Sequence, residues 1–291
     1  MGTTKKMRIG AAVAYSHNTN PEFIKRSAQL IESLGYYSMW VPEHVMFFPD
    51  YDSAYPYTEE GKLPGDPEGV LDPFSALTFV AAHTSTLRLG TGICLVPQRQ
   101  PVYTAKMVAD LDYLSGGRVD FGVGIGWLKE EFDNLQMPFA GRGKRCLEYL
   151  EVMQALWGDR ISEYHGESYD LAPCFFNPKP VQTPHPPIFF GGESDPALRR
   201  VASHGQGWYG YDMAPDTLEA QLHTLDAMLA EQGRSRADVS VYVGPNKHPV
   251  TPATVAAYAD CGVEQLIVGI GGRDLEGLTR RAEKMAGICG L

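Results

Sequence analysis

Positive charge is in short supply in this chain: 25 lysines and arginines stand against 35 aspartates and glutamates, a formal charge of −10 over 291 residues. Nucleic-acid binders displace counterions with clustered lysine and arginine, so this balance argues against such a partner. Cysteine is also sparse. Cys94, Cys146, Cys174, Cys261 and Cys289 are odd in number and form no C-x-x-C pair, which predicts reduced thiols in a cytoplasmic protein rather than a disulfide framework. No run approaches the apolar length of a membrane span. The opening, with Lys5, Lys6 and Arg8 before the apolar run from Ile9 to Tyr15, is too short and lacks a cleavage site for a signal peptide, so it reads as a buried first strand. Eight histidines include no H-x-H or H-E-x-x-H, and there is neither a G-x-S-x-G elbow nor a P-loop lysine. A protein acting on small molecules is the reading left.

What the chain does have is alternation. Strand-like runs fall near Arg8 to Ala14, Tyr37 to Val41, Leu87 to Ile93, Val119 to Val123, Pro187 to Phe190, Gly207 to Tyr209, Val239 to Val243 and Gln265 to Val268. Between them lie helical patterns near Pro21 to Leu34, Pro73 to His83, Val102 to Leu114, Arg145 to Trp157, Asp195 to Ser203, Pro215 to Glu231, Pro252 to Asp260 and Leu275 to Ala286. Apolar residues in these segments return to one face at helical spacing, as Phe23, Ile24, Ile31 and Leu34 do in the first. Eight strand–helix repeats are most simply closed as a single α/β domain over residues 1–291, a (β/α)8 TIM barrel. Two segments exceed ordinary loop length. Residues 45–71 follow the second strand and carry Phe47, Phe48, Tyr51, Tyr55 and Tyr57, which suit a lid or pocket wall as well as a subunit contact. Residues 158–187 read as a hairpin insertion with a proline-rich tail.

The stretch from Leu87 to Phe132 reads as a βαβ unit, and parallel α/β architectures collect ligands at the carboxyl ends of their strands. Thr91 to Leu95 and Gly124 to Trp127 would lie there side by side. Gly122-Val-Gly-Ile-Gly126 has G-x-G-x-G spacing, which is no dinucleotide fingerprint; glycines there allow a backbone to approach a flat ligand, or simply make a tight turn. Glu43-His44 follows the second strand and places an imidazole, the side chain best matched to proton transfer near neutral pH, at that same end. Gly191-Gly-Glu-Ser194 opens the helix at Asp195-Pro196, where free backbone N–H groups could take phosphate or Ser194 could cap the helix. Arg142, Lys144 and Arg145 set positive charge against a helix N-terminus, which a solvated basic face explains more simply than an anionic ligand, though such a ligand would resolve the conflict.

Taken together, Trp40-Val-Pro-Glu-His44, Leu89-Gly-Thr-Gly-Ile-Cys-Leu-Val-Pro97 with Pro101, Gly117-Arg-Val-Asp-Phe-Gly-Val-Gly-Ile-Gly-Trp127 with Glu130-Glu-Phe132, and Gly191-Gly-Glu-Ser194 resemble the luciferase-like flavin and deazaflavin oxidoreductases over essentially the whole chain. The branch most resembled is the F420-dependent oxidoreductases. That resemblance implies a luciferase-type barrel with a tricyclic ring across its carboxyl end, and a non-proline cis peptide whose aligned bond is Gly92–Ile93. It implies catalytic roles for His44 and Glu43, and cofactor contacts at Thr91, Gly92, Ile93, Gly124, Gly126, Gly191, Gly192, Glu193 and Ser194. Phe47, Trp127 and Glu130 are assigned to the substrate pocket. The expected cofactor is coenzyme F420, with FMN the alternative because a Glu-His pair also occurs in the luciferase branch. The expected activity is hydride transfer to or from an organic substrate, against an FMN-dependent monooxygenase or a non-catalytic flavin-binding barrel. A homodimer acting on a small molecule is implied, with no metal.

Overall fold

The computed structural model describes residues 6–65 and 67–291. In chain order its strands are β1 (Arg8–Ala12), β2 (Ser38–Val41), β3 (Arg88–Thr91), β4 (Cys94–Leu95), β5 (Val119–Gly124), β6 (Ser162–His165), β7 (Asp170–Cys174), β8 (Ile188–Gly191), β9 (Gly207–Tyr211), β10 (Ser240–Gly244) and β11 (Gln265–Gly269). The helices are α1 (Pro21–Ser33), α2 (Pro73–Ala81), α3 (Pro101–Ser115), α4 (Lys129–Asn134), α5 (Arg142–Trp157), α6 (Asp195–His204), α7 (Pro215–Glu231), α8 (Pro252–Asp260) and α9 (Leu275–Cys289). Parallel pairing runs β1–β2–β3–β5–β8–β9–β10–β11 and returns to β1, closing the (β/α)8 barrel that the alternation predicts. The third predicted run is broken. Strand β3 stops at Thr91, the Gly92–Ile93 peptide is cis, and β4 follows just beyond the predicted run.

Local chemistry sets the helix starts. Asn20 accepts from the Phe23 N–H at 2.8 Å and Pro21 occupies the first turn of α1, while Asp274 accepts from the Gly277 N–H at 2.7 Å to open α9. Along α1, Ile24, Ala28 and Ile31 bury the inner face. Inside the barrel, Trp40, Phe189, Tyr209, Tyr242 and Ile267 form their own cluster, and each large side chain removed from water contributes about 1.5–3 kcal/mol. Trp40 needs room on its neighbours. A Cβ at Gly90 would lie 2.3 Å from the indole, so only glycine fits there.

The hairpin insertion is β6 and β7, paired antiparallel with Ser162 opposite Cys174 and His165 opposite Asp170. Residues 45–71 contain no strand beyond one bridge, between Ser16 and Val70, and no helix among the described residues. They lie over the carboxyl end of the barrel through ring contacts: Tyr55 meets Trp127 at 5.2 Å and Tyr57 meets Tyr211 at 4.9 Å. Among the described residues no helix is long and apolar enough to cross a membrane.

Candidate active site

The carboxyl ends of the strands surround a cavity of about 420 Å³. Ala12 to Ala14 line it from β1, Trp40 and His44 from β2 and the residues after it, Gly92, Ile93 and Leu95 from the β3–β4 break, and Gly124 to Trp127 from the end of β5. Gly191, Gly192, Tyr209 and Tyr211 complete the wall, and Tyr55, Pro56, Tyr57 and Leu63 of the long loop close over it. The two strand ends singled out in the sequence therefore adjoin one space.

Its floor is an isoleucine held in a notch of glycines. A Cβ at Gly124 would lie 2.2 Å from Ile93 Cδ1, and one at Gly191 would lie 2.6 Å from the same atom. Both positions must lack a side chain for Ile93 to lie where it does, since carbon atoms settle at about 3.5–4.0 Å. The glycines of the Gly122–Gly126 run differ in what they do. Gly124 gives way to Ile93, whereas Gly126 makes a turn: its φ is 77° and a Cβ there would lie 2.8 Å from the Phe132 ring.

His44 lies at the edge of this floor with its Nδ1 3.1 Å from Glu131 Oε2. Phe47 contacts the imidazole at 4.8 Å between ring centres, and Trp127 meets it edge-on at 5.9 Å. Glu131 is fully buried and also accepts from the backbone N–H groups of Val45 and Met46 and from Gln98 Nε2. Burial pushes its carboxyl up, but the bonds from His44, Gln98 and Met46 outweigh that and hold it below the usual glutamate range. Nothing but its place inside the Glu130-Glu-Phe132 motif marked Glu131 in the sequence, and the short helix α4 that carries it was not predicted.

The structure places the other expected site residues as follows. Glu43 is buried with its carboxylate committed elsewhere: it accepts from the Leu95 N–H at 2.6 Å and pairs with Arg99, which also holds Asp72. It braces the β3–β4 break, and it lines the cavity beside His44. Thr91 is fully buried and donates to the Gly122 carbonyl at 2.6 Å, outside the cavity lining. Glu130 is absent from the lining too; it accepts from the N–H groups of Asp52 and Ser53 and so ties down the long loop. Phe47 reaches the site only through the His44 ring. Glu193 turns toward the loop, accepting from the Tyr57 hydroxyl at 3.0 Å and the Tyr211 N–H at 2.7 Å, and burial raises its carboxyl despite those bonds. Ser194 stands exposed at the N-cap of α6 with no side-chain capping bond.

A patch of unopposed positive charge adjoins Gly126. Arg142 donates to the Gly126 carbonyl at 3.0 Å and stacks on Phe139 at 3.8 Å, and Arg200 of α6 comes within 3.3 Å of where a Cβ on Gly143 would be. Among the described residues neither guanidinium has a carboxylate partner. Burial, and then the charges of Arg200 and Arg145, pull Arg142 below the usual arginine value, and burial does the same to Arg200. Lys144 has left this group for Glu167, and Arg145 is spent on backbone carbonyls.

The carboxyl end of the barrel thus holds one cavity roofed by aromatic rings, floored by Ile93 and edged by His44. The family model for luciferase-like monooxygenases matches residues 2–267. The chain is 33% identical over 262 residues to the uncharacterised protein Rv0953c of Mycobacterium tuberculosis, covering 89% of this chain and 91% of that one. In fold it is similar to the coenzyme F420-dependent tetrahydromethanopterin reductase of Methanopyrus kandleri, with a TM-score of 0.76, 18% identity and coverage of 97% and 98%. It is likewise similar to the oxygenating component of 3,6-diketocamphane monooxygenase from Pseudomonas putida in complex with FMN, at a TM-score of 0.74, 15% identity and 98% coverage of each chain. The chain belongs to the luciferase-like monooxygenase family.

Proposed function

We propose that this protein is an F420-dependent oxidoreductase acting on a small organic substrate held between the Ile93 floor and the aromatic loop. The observation that carries the reading is the floor itself, because two neighbouring strands give up their side chains at Gly124 and Gly191 to seat one apolar residue below a cavity of about 420 Å³. When bound, a deazaflavin supplies hydride chemistry. The chain's own part is to bind, orient and manage a proton. Ile93 and the backbone of Gly92 and Gly124 would support a ring; Arg142 and Arg200, which lack anionic partners, would hold a phosphate together with the turn at Gly191 and Gly192. Among the described residues His44 Nε2 has no hydrogen-bond partner, and it would exchange a proton with the substrate. Tyr55, Tyr57 and Trp127 would keep water out.

An FMN-dependent monooxygenase is the second reading, favoured by the Glu43-His44 pair shared with the luciferase branch. Assays run with and without oxygen separate the two. Oxidised F420 reduced by an alcohol, or reduced F420 consumed by a carbonyl or alkene acceptor, with loss of turnover in His44→Ala, supports the first. Oxygen uptake coupled to substrate with reduced FMN supports the second, and absence of turnover with both cofactors across such a panel overturns the enzymatic assignment.

A further inference from the structure

We propose that Glu131 is the positioning residue for His44, holding the imidazole in the tautomer that carries its proton on Nδ1 and leaves Nε2 as the acceptor, while Glu130 beside it fastens the loop over the same cavity. This rests on the reading of His44 as the group that exchanges a proton with the substrate.

The tautomer follows from a count of donors. Glu131 Oε1 receives the N–H groups of Val45 at 2.6 Å and Met46 at 3.2 Å, and Oε2 receives the Gln98 amide at 3.0 Å and His44 Nδ1 at 3.1 Å. An ionised carboxylate can only accept, so the hydrogen in the His44 contact lies on Nδ1. A neutral imidazole has one such hydrogen, and Nε2 therefore keeps its lone pair. The ring is held between Phe47 and Trp127, so the carboxylate also fixes which nitrogen meets the substrate.

Val45 and Met46 begin the long loop, and Glu130 Oε1 takes the N–H groups of Asp52 at 2.7 Å and Ser53 at 3.1 Å farther along it. Consecutive glutamates on α4 thus anchor the loop at two places, but Glu131 alone touches His44. Around His44 the other charged groups are Glu43, Arg99 and Asp72, which are paired among themselves. Across the cavity Tyr55, Tyr57, Tyr209 and Tyr211 titrate only at high pH because burial raises each of them. Removal of the Glu131 charge is therefore felt by His44 without a nearby substitute.

The test needs neither cofactor nor substrate. Long-range ¹H–¹⁵N spectra of the histidine-labelled full chain, with the His44 signals identified by their absence from His44→Gln, report the tautomer directly. Wild-type protein should show the neutral Nδ1–H form. In Glu131→Gln the two tautomers should mix. Glu130→Gln should leave the tautomer unchanged while amide exchange quickens in residues 45–53. A neutral Nε2–H form in wild-type protein overturns the proposal even if Glu131→Gln does not fold, and an unchanged Nδ1–H tautomer in folded Glu131→Gln overturns it as well. The functional reading fails separately, if His44→Ala turns over like wild type while the spectra behave as stated.

Discussion

Gly124→Ala isolates the floor of the cavity. The new methyl would lie 2.2 Å from Ile93 Cδ1 and 3.0 Å from Cγ1. Ordinary carbon contacts need about 3.5–4.0 Å, so Cδ1 has to move by more than about 1 Å. Gly191 closes the opposite side of the notch, with the same Cδ1 2.6 Å from where its own Cβ would lie, so the side chain can swing only upward into the cavity. With the cavity empty that swing costs a rotamer change, about 0.5–1.5 kcal/mol, and the denaturation midpoint should move little. A bound ring must push Ile93 back against the methyl, and overpacking of this kind costs about 1–3 kcal/mol. Affinity for the cofactor should therefore fall by about five- to a hundred-fold at nearly unchanged stability. Fluorescence titration of wild type, Gly124→Ala, Ile93→Ala and the double variant measures it. In the Ile93→Ala background the methyl should have almost no further effect, because the atom it strikes is gone. Wild-type affinity in Gly124→Ala, or an equal loss in both backgrounds, would refute the notch as the basis of the floor.

Arg99→Leu strips the buried Glu43 of its cation and should cost about 3–5 kcal/mol in urea denaturation, with a change below about 1 kcal/mol contradicting the brace at the β3–β4 break. Tyr57→Phe removes the hydroxyl that donates to Glu193 at 3.0 Å and should speed proteolysis within residues 45–71, whereas an unchanged cleavage rate would show that this bond does not hold the loop. Burial raises the Glu130 carboxyl, but the Ser53 side chain and the N–H groups of Asp52 and Ser53 bring it down to about 2 from an ordinary 4.5. A depressed folded value stabilises the protein above the unfolded one and is lost as pH falls through the folded one, so the advantage of wild type over Glu130→Gln should shrink between about pH 4.5 and 2. An advantage that is constant across that window would count against the carboxylate as the anchor.

The barrel was legible because periodicity alone separates its elements: each predicted run lies on a strand of the closed sheet, and α7 and α8 begin and end where the pattern does. The break between β3 and β4 was not, since Leu89 to Leu95 is apolar on both sides of Gly92 and only the family resemblance pointed to the cis bond. Site residues were legible as neighbours in sequence but not in their pairings. Glu43 adjoins His44 in the chain yet serves Arg99, and the carboxylate that His44 meets is 87 residues away. Hydrogen-bond partners that close across a barrel carry no local signature. Glu131 sits in a charged run, Lys129-Glu-Glu-Phe-Asp133, whose letters do not say which carboxylate is buried; Glu131 and Phe132 are, while Glu130 is only partly so. Arg200 was missed for a related reason: a lone arginine on an amphipathic helix looks ordinary, and its lack of a partner is visible only in three dimensions.

Equilibrium binding of F420 and FMN to wild type and to Arg200→Ala tests the central claim most directly. Arg200 is partly buried with no anionic partner, so its removal should leave the urea midpoint unchanged or raised. If it holds the cofactor phosphate, a charge-assisted bond of about 1.5–3 kcal/mol is lost and affinity for the preferred cofactor should drop by about ten- to a hundred-fold. Failure of wild-type protein to bind either cofactor, or equal affinity in Arg200→Ala, would contradict the account.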